Sequence, residues 1–161
     1  YGSWAGAFGY FQFMPSTIEN HAIDFNDDNY IDLKDSNDAY ASAANYLRNM
    51  GWNNETPCFY RVNLKKEINR KYLNVSAKKL TNKKKLKFFK KFIAIDEQIN
   101  SLDDDLVTAI ITPDKDIIKD AETLNPAYIV FNNYEIILKW NRSLRFGLAV
   151  CTLKDKIANE L

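Results

Sequence analysis

YGSWAGAFGYFQFMP, running from Tyr1 to Pro15, is the stretch whose reading decides the fold. It holds three of the chain's five glycines, Gly2, Gly6 and Gly9, interleaved with six aromatic residues, Tyr1, Trp4, Phe8, Tyr10, Phe11 and Phe13. Glycine lets backbone or ligand come close, and aromatic rings present flat apolar faces beside polar edges. Gln12, inside the run, both donates and accepts hydrogen bonds. Such a mixture suits a groove for a sugar ring, which has apolar faces and a hydroxyl rim. Composition alone favours a plainer reading, a tight packing site at the edge of a helical core.

Outward from this run, the pattern is helical at both ends and strand-like between. After Pro15, Ser16 and Thr17 are candidate caps of a short helix reaching Asn20. A second helix has Asp35, Ser36 and Asp38 as N-cap candidates, Ala39, Ala43, Leu47 and Met50 on one face, and Gly51 to stop it. The alanines on that face imply close packing against another helix. From Pro57 the period changes. Cys58 to Leu64 alternates apolar and polar residues as a strand does, and Leu106–Ile111 and Tyr128–Phe131 are apolar runs bounded by turn residues. The lysine-rich segment between them reads as short helix and loop. A last helix is capped by Asn141 or Ser143, with Phe146, Val150, Leu153 and Ile157 as its apolar stripe.

Length and composition agree with one real core and a small appended lobe. The chain has 161 residues, 46% hydrophobic and 27% charged, ordinary values for a globular protein. A net charge of +1 gives no global field to argue for nucleic acid or membrane. Charge is nevertheless uneven. Lys78, Lys79, Lys83, Lys84, Lys85, Lys87, Lys90 and Lys91 crowd one segment, and Asp103, Asp104 and Asp105 follow it. This reads as a solvated helix face, or as a patch that attracts an anionic polymer. No apolar run is long enough to span a bilayer. Cys58 and Cys151, the only cysteines, read by default as two buried thiols, with a disulfide as the alternative.

The loop from Asp24 to Asp35 is the clearest chemical motif after the opening run. Calcium takes six to eight oxygens, and a twelve-residue loop supplies them from positions 1, 3, 5, 7, 9 and 12. Those positions hold Asp24, Asn26, Asp28, Tyr30 (through its carbonyl), Asp32 and Asp35. Ile31 takes the eighth position, where such loops turn an apolar side chain inward. Asn29 replaces the sharp-turn glycine and is the residue next most tolerant of the left-handed conformation. Asp35 replaces the terminal Glu with a shorter arm. A structural Ca2+ of modest affinity is expected; the competing reading is an Asp/Asn-rich turn that binds nothing.

GSWAGAFGYFQFMPST resembles the signature of the membrane-bound lytic murein transglycosylase B family, bacterial enzymes that cut the glycan strands of peptidoglycan. IDFNDDNYIDLKD, DAYASAANYLRNMGW and ILKWNRSLRFGLAV continue the resemblance in the family's order. The resemblance implies an α+β, lysozyme-like architecture, a mainly helical core with an inserted strand-containing lobe, of which an N-terminal part is missing. Residues 1–57 would form the helical segment with groove and calcium-type loop, 58–131 the lysine-rich lobe, and 132–161 the return to the core. It also implies cleavage of the bond between N-acetylmuramic acid and N-acetylglucosamine by a single Glu, acting first as acid and then as base, with a 1,6-anhydro end as product. That Glu is expected upstream of Tyr1. Glu19 reads as a surface residue, and Glu55, Glu67, Glu97, Glu122, Glu135 and Glu160 have no supporting context. No catalytic residue is therefore assigned, and the chain alone is expected to be inactive. Ser3 and Gln12 match groove positions near the missing acid. Asn141 matches a groove Asn, and Trp140 and Phe146 stand where the family has tyrosines. The implied partners are peptidoglycan strands, with no nucleic acid, membrane contact only through a lipid anchor outside the chain, a monomeric state, and the periplasm or cell envelope as location. A non-catalytic peptidoglycan-binding module and a calcium-responsive EF-hand-type protein are the alternatives.

Overall fold

The computed structural model describes residues 3–65, 67–94, 97–114, 118, 120 and 124–160, and the chain divides into two units, Tyr1–Asn53 and Asn54–Leu161. In the first unit, Phe8 and Phe13 exchange backbone hydrogen bonds of 2.9 Å in each direction. Between them Gly9 (φ +76°) and Gln12 (φ +50°) take left-handed conformations that close the turn. Helix α1, Pro15–His21, follows. Its N-cap is Met14, with no side-chain bond, so neither Ser16 nor Thr17 caps it. Proline at the first position brings a preset φ and lacks the N–H a cap would satisfy.

Helix α2, Ser36–Asn49, begins where expected: the Asp35 carboxylate accepts from Asn37 N at 2.8 Å. It ends before Gly51 (φ +90°). Its buried face is Asp38, Ala39, Ser42, Ala43 and Tyr46, with Leu47 and Met50 only half-buried. The partner implied by the alanines is α1. Ser42 Oγ accepts from Ile23 N at 3.0 Å, and Asn45 Nδ2 donates to His21 O at 2.9 Å.

The second unit is built on a small sheet. Strands β1 (Phe59–Val62), β2 (Leu73–Asn74), β3 (Lys84–Lys85), β4 (Val107–Ile111) and β5 (Ala127–Val130) lie in the order β1-β5-β4-β2, with β3 pairing to β4 off this path. β1, β4 and β3 join antiparallel neighbours, while β2 runs parallel to β4. Strands β2 and β3 were not anticipated; each is two residues long, too short for a period to show. Helices α3 (Leu86–Phe89) and α4 (Glu97–Asn100) cover the sheet. Leu86, Phe89, Ile93 and Ile99 pack there with Ile110 and Ile129, each no more than 1% exposed.

Helices α5 (Asn132–Trp140) and α6 (Leu144–Glu160) close the unit. Tyr134, fully buried on α5, donates its hydroxyl proton to Leu144 O at 2.6 Å. Burial pushes that phenol well above its ordinary pKa, so it stays a donor. Gly147 permits the close approach: a Cβ there would lie 2.9 Å from the Tyr134 ring. A disulfide joins Cys58 beside β1 to Cys151 on α6, with Cα atoms 6.1 Å apart, which replaces the default reading of free thiols. These two ties set the rotation of α6. Its buried residues are Leu144, Gly147 and Cys151, not the expected stripe: Phe146 is 38% exposed, Leu153 59% and Ile157 52%.

Among the described residues, four of the eight lysines in the basic segment form ion pairs. Lys85 and Lys87 meet Asp105, Lys90 meets Asp104, and Lys83 meets Glu135. Lys87 and Lys85 hold the Asp105 carboxyl below the usual carboxylate range.

Candidate functional site

The glycine–aromatic run divides between the two readings it allowed. Phe13 is buried, and Phe11 packs edge-on against Tyr40 at 5.4 Å. Trp4 is fully exposed, and Tyr10 and Met14 are exposed as well. One part of the run is therefore core and the other an apolar surface. Ser3 Oγ accepts from Ala7 N at 3.0 Å, which leaves the hydroxyl proton to donate outward. Gln12 Nε2 donates to Gly9 O at 2.9 Å, so the exposed carboxamide presents its oxygen as an acceptor. Both side chains are thus held by their own turns, a restriction that lowers the cost of ordering them on a ligand.

The turn is seated on the acidic loop. Tyr10 N donates to Leu33 O at 3.0 Å. A Cβ on Gly9 would lie 2.5 Å from Leu33 Cβ and 2.6 Å from Leu33 O. Leu33 is buried, while Ile31, expected to point inward, is 42% exposed. The anchoring apolar residue stands two positions later because the Gly9 turn needs a partner there.

Within the loop, Asp24 accepts from Asp28 N (3.3 Å) and Asn29 N (2.7 Å), and Asp28 accepts from Tyr30 N (2.8 Å). Asp32 accepts from Lys34 N at 2.9 Å. Asp27 and Asn29 adopt φ of +58° and +67°, so Asn29 does take the glycine conformation. The donor set is hard oxygen throughout, which suits calcium in kind. As placed, however, the carboxylates serve backbone N–H groups, and Asn26 Nδ2 donates to Asp28 Oδ2 at 3.0 Å. Among the described residues no three His, Cys, Asp or Glu side chains converge as a metal site.

Sequence reasoning treated Asp38 only as a possible cap. It is 1% exposed, with Oδ1 accepting from Phe25 N at 2.9 Å and Oδ2 from Asp32 N at 2.8 Å. From the first turn of α2 this one carboxylate holds both ends of the loop. The available signal was an acid three residues after the N-cap of an alanine-rich helix, on the side that faces the core.

In the second unit, the remaining candidates flank the α5–α6 connection. Trp140 ends α5 half-buried; Asn141 N donates to Ile137 O at 3.0 Å and its side chain is exposed. Ser143, not Asn141, caps α6, its Oγ accepting from Phe146 N at 3.2 Å. Phe146 is therefore a surface ring. Of the glutamates, Glu19, Glu55, Glu67, Glu97 and Glu160 are exposed, and Glu135 is held by Lys83 at 2.9 Å. Glu122 lies outside the described residues. A general acid needs apolar enclosure to keep its proton near neutrality, and none of these described carboxyls has it.

Residues 1–155 match the model of the transglycosylase SLT domain. A stretch of 51 residues is 53% identical to membrane-bound lytic murein transglycosylase B of Escherichia coli K12, covering 32% of this chain and 14% of that protein. Among solved structures, SltB3 of Pseudomonas aeruginosa, in complex with NAG-anhNAM-pentapeptide, superposes with TM-score 0.78 at 29% identity, over 97% of this chain and 40% of that one. The lytic transglycosylase SltB1 of the same organism gives TM-score 0.78 at 26% identity, over 99% and 49%. Escherichia coli Slt35 in complex with calcium gives 0.72 at 25%, over 99% and 46%. The chain thus spans less than half the length of these relatives. The α+β, lysozyme-like class expected from the sequence is the class of these neighbours.

Proposed function

The chain belongs to the transglycosylase SLT domain family, and from this premise we propose that it forms the groove-bearing, C-terminal part of a lytic transglycosylase domain acting on peptidoglycan in the cell envelope. The observation that carries the reading is the opening run. Its turn displays Trp4, Tyr10, Ser3 and Gln12 at the surface while Gly9 locks it to Leu33, so a rigid apolar face stands beside fixed hydrogen-bonding groups, the chemistry of a sugar site. Half-buried Trp140 with exposed Asn141 and Phe146 supplies a second set of ring and amide.

In the reaction, a carboxylic acid protonates the oxygen between N-acetylmuramic acid and N-acetylglucosamine. The carboxylate then takes the proton of the muramic C6 hydroxyl as that oxygen attacks C1 of the same sugar. The C1–O bond breaks, a 1,6-anhydro ring closes, and no water is consumed. By the family resemblance the acid is a Glu upstream of Tyr1; a group serving in both roles needs a raised pKa, and the described glutamates are exposed or paired. The chain by itself therefore binds glycan as a monomer and does not cut it. Ser3 and Gln12 orient sugar N-acetyl and hydroxyl groups; Trp140 and Phe146 stack on ring faces.

A structural calcium belongs to the same proposal. Asp24, Asn26, Asp28, the Tyr30 carbonyl, Asp32 and Asp35 would hold it once the Asn26–Asp28 hydrogen bond yields to the ion. It would brace the loop against which the Gly9 turn rests. Co-sedimentation with purified peptidoglycan tests the groove: Gln12→Ala and Asn141→Ala each weaken retention several-fold while melting like the parent. Retention unchanged in both variants overturns the assignment.

A further inference from the structure

We propose that a basic cleft between the 75–80 loop and the α5–α6 connection binds the carboxylates of the peptide stem carried by a glycan strand, an inference that rests on the peptidoglycan reading above. Two adjoining cavities form it. One, of about 290 Å³, is lined by Ser76, Lys78, Arg142, Ser143 and Arg145. The other, of about 220 Å³, is lined by Lys78, Lys79, Leu138, Lys139 and Arg142, and by Glu135, which Lys83 neutralises. Lys78 and Arg142 belong to both.

Cations are gathered here by position, around a cleft whose neighbouring lysines are ion-paired. Lys83, Lys85, Lys87 and Lys90 are neutralised by Glu135, Asp105 and Asp104, and Arg145 by Asp114. Lys78, Lys79, Lys139 and Arg142 form no ion pair among the described residues. Four cations thus line one cleft, on a chain whose net charge is +1. A cleft with low-dielectric walls concentrates such a field.

The loop is also built. Asn74, 6% exposed, accepts from Thr81 N at 2.7 Å and donates to Ile110 O at 2.9 Å, so it closes the loop and pins it to β4. Leu80, 4% exposed, anchors the loop from beneath. Lys78 and Lys79 thus project from a fixed backbone.

Position selects the ligand. Arg142 directly follows Trp140 and Asn141, the proposed sugar contacts. A stem is bonded to the muramic residue of the strand, so a sugar held at Trp140 and Asn141 would carry its stem past the next residue, Arg142, which lines both cavities. Small cavities with Ser76 and Ser143 on one side and Glu135 on the other suit discrete carboxylates, and the near-zero net charge argues against a long polyanion.

The test measures binding of N-acetylmuramyl pentapeptide at low ionic strength, with its carboxylates free and with them amidated, alongside stem-free glycan strands. The free acid should bind about 5- to 10-fold tighter than the amide, as expected for two to three exposed charge-assisted contacts. That difference should fall to about 2-fold or less in the doubly substituted K78Q/K139Q protein and in 0.5 M salt, taken as roughly the point where exposed pairs are screened. Stem-free glycan should bind the parent and K78Q/K139Q alike, with equal melting temperatures. Equal binding of acid and amide, while stem-free glycan still binds, overturns the cleft proposal. Loss of stem-free glycan binding in the parent counts against the sugar groove instead. Tighter binding of a glycerol phosphate oligomer than of the muramyl peptide would refute the carboxylate assignment.

Discussion

Replacing Asp38 by asparagine tests how the acidic loop is held. The parent carboxylate accepts two backbone hydrogen bonds, from Phe25 N at 2.9 Å and Asp32 N at 2.8 Å, at a position 1% exposed. An isosteric carboxamide keeps one acceptor and turns an N–H₂ group toward the other backbone N–H. One charge-assisted bond is lost, about 1.5–3 kcal/mol, and a buried donor is left unpaired, about 1–3 kcal/mol. The loss of negative charge in the first turn of α2 adds a few tenths, roughly 0.3–1 kcal/mol. These overlap, so the expected destabilisation is about 2–4 kcal/mol, read from urea unfolding followed by circular dichroism. Amide exchange at Phe25 and Asp32 should accelerate before exchange in the second unit changes. A D38N protein within ~0.5 kcal/mol of the parent, the scatter of neutral surface changes, with both amides still protected, would refute this reasoning.

The Gly9→Ala substitution should cost about 2–4 kcal/mol, because a left-handed residue acquires a Cβ that meets Leu33 Cβ at 2.5 Å; urea unfolding measures it, and a neutral result would mean that the turn does not rest on Leu33. Reducing the Cys58–Cys151 bond, which spans 93 residues, or replacing both cysteines by serine, should cost about 2–5 kcal/mol; unchanged melting would show that the bond does not constrain the chain. Lys87 and Lys85 lower the pKa of Asp105, so folding favours its ionised form. Its contribution is present at neutral pH and is lost as pH falls through the lowered folded value, below roughly 4. The difference in melting between parent and D105N should therefore be small at pH 7, smaller still in salt, and should shrink as pH falls below roughly 4. A difference that does not shrink on acidification would contradict the pairing.

Helices with two independent signals were legible. Helix α2 showed a capping acid and a terminating glycine, and both act as expected at Asp35 and Gly51. The three longer strands were legible, one from alternation and two as apolar runs, within a residue or two at their ends. Helix α5 was missed although Tyr134, Ile137 and Leu138 carry helical spacing; the apolar strand just before it hid the change of period. The stripe on α6 failed for a different reason. Phe146, Val150, Leu153 and Ile157 have correct helical spacing, yet Gly147 and Cys151 decide the buried face through a close approach to Tyr134 and a covalent bond. Periodicity reports which residues share a face, and long-range contacts choose the face that packs. The same limit applied to Asp38 and to the lysine–aspartate pairing, whose partners lie far apart along the chain. Ser3, Gln12, Trp140, Asn141 and Phe146 were read from resemblance, since residues this far apart along the chain share no periodic signal.

Mass spectrometry of the soluble products released from purified peptidoglycan tests the central claim most directly. The account predicts muropeptides ending in 1,6-anhydro-N-acetylmuramic acid from a chain extended upstream to include the acid, and none from the 161 residues alone. Anhydro products from the 161-residue chain alone would place the acid within it, and reducing-end products would show that water, not the muramic C6 hydroxyl, attacks C1; either result contradicts the account.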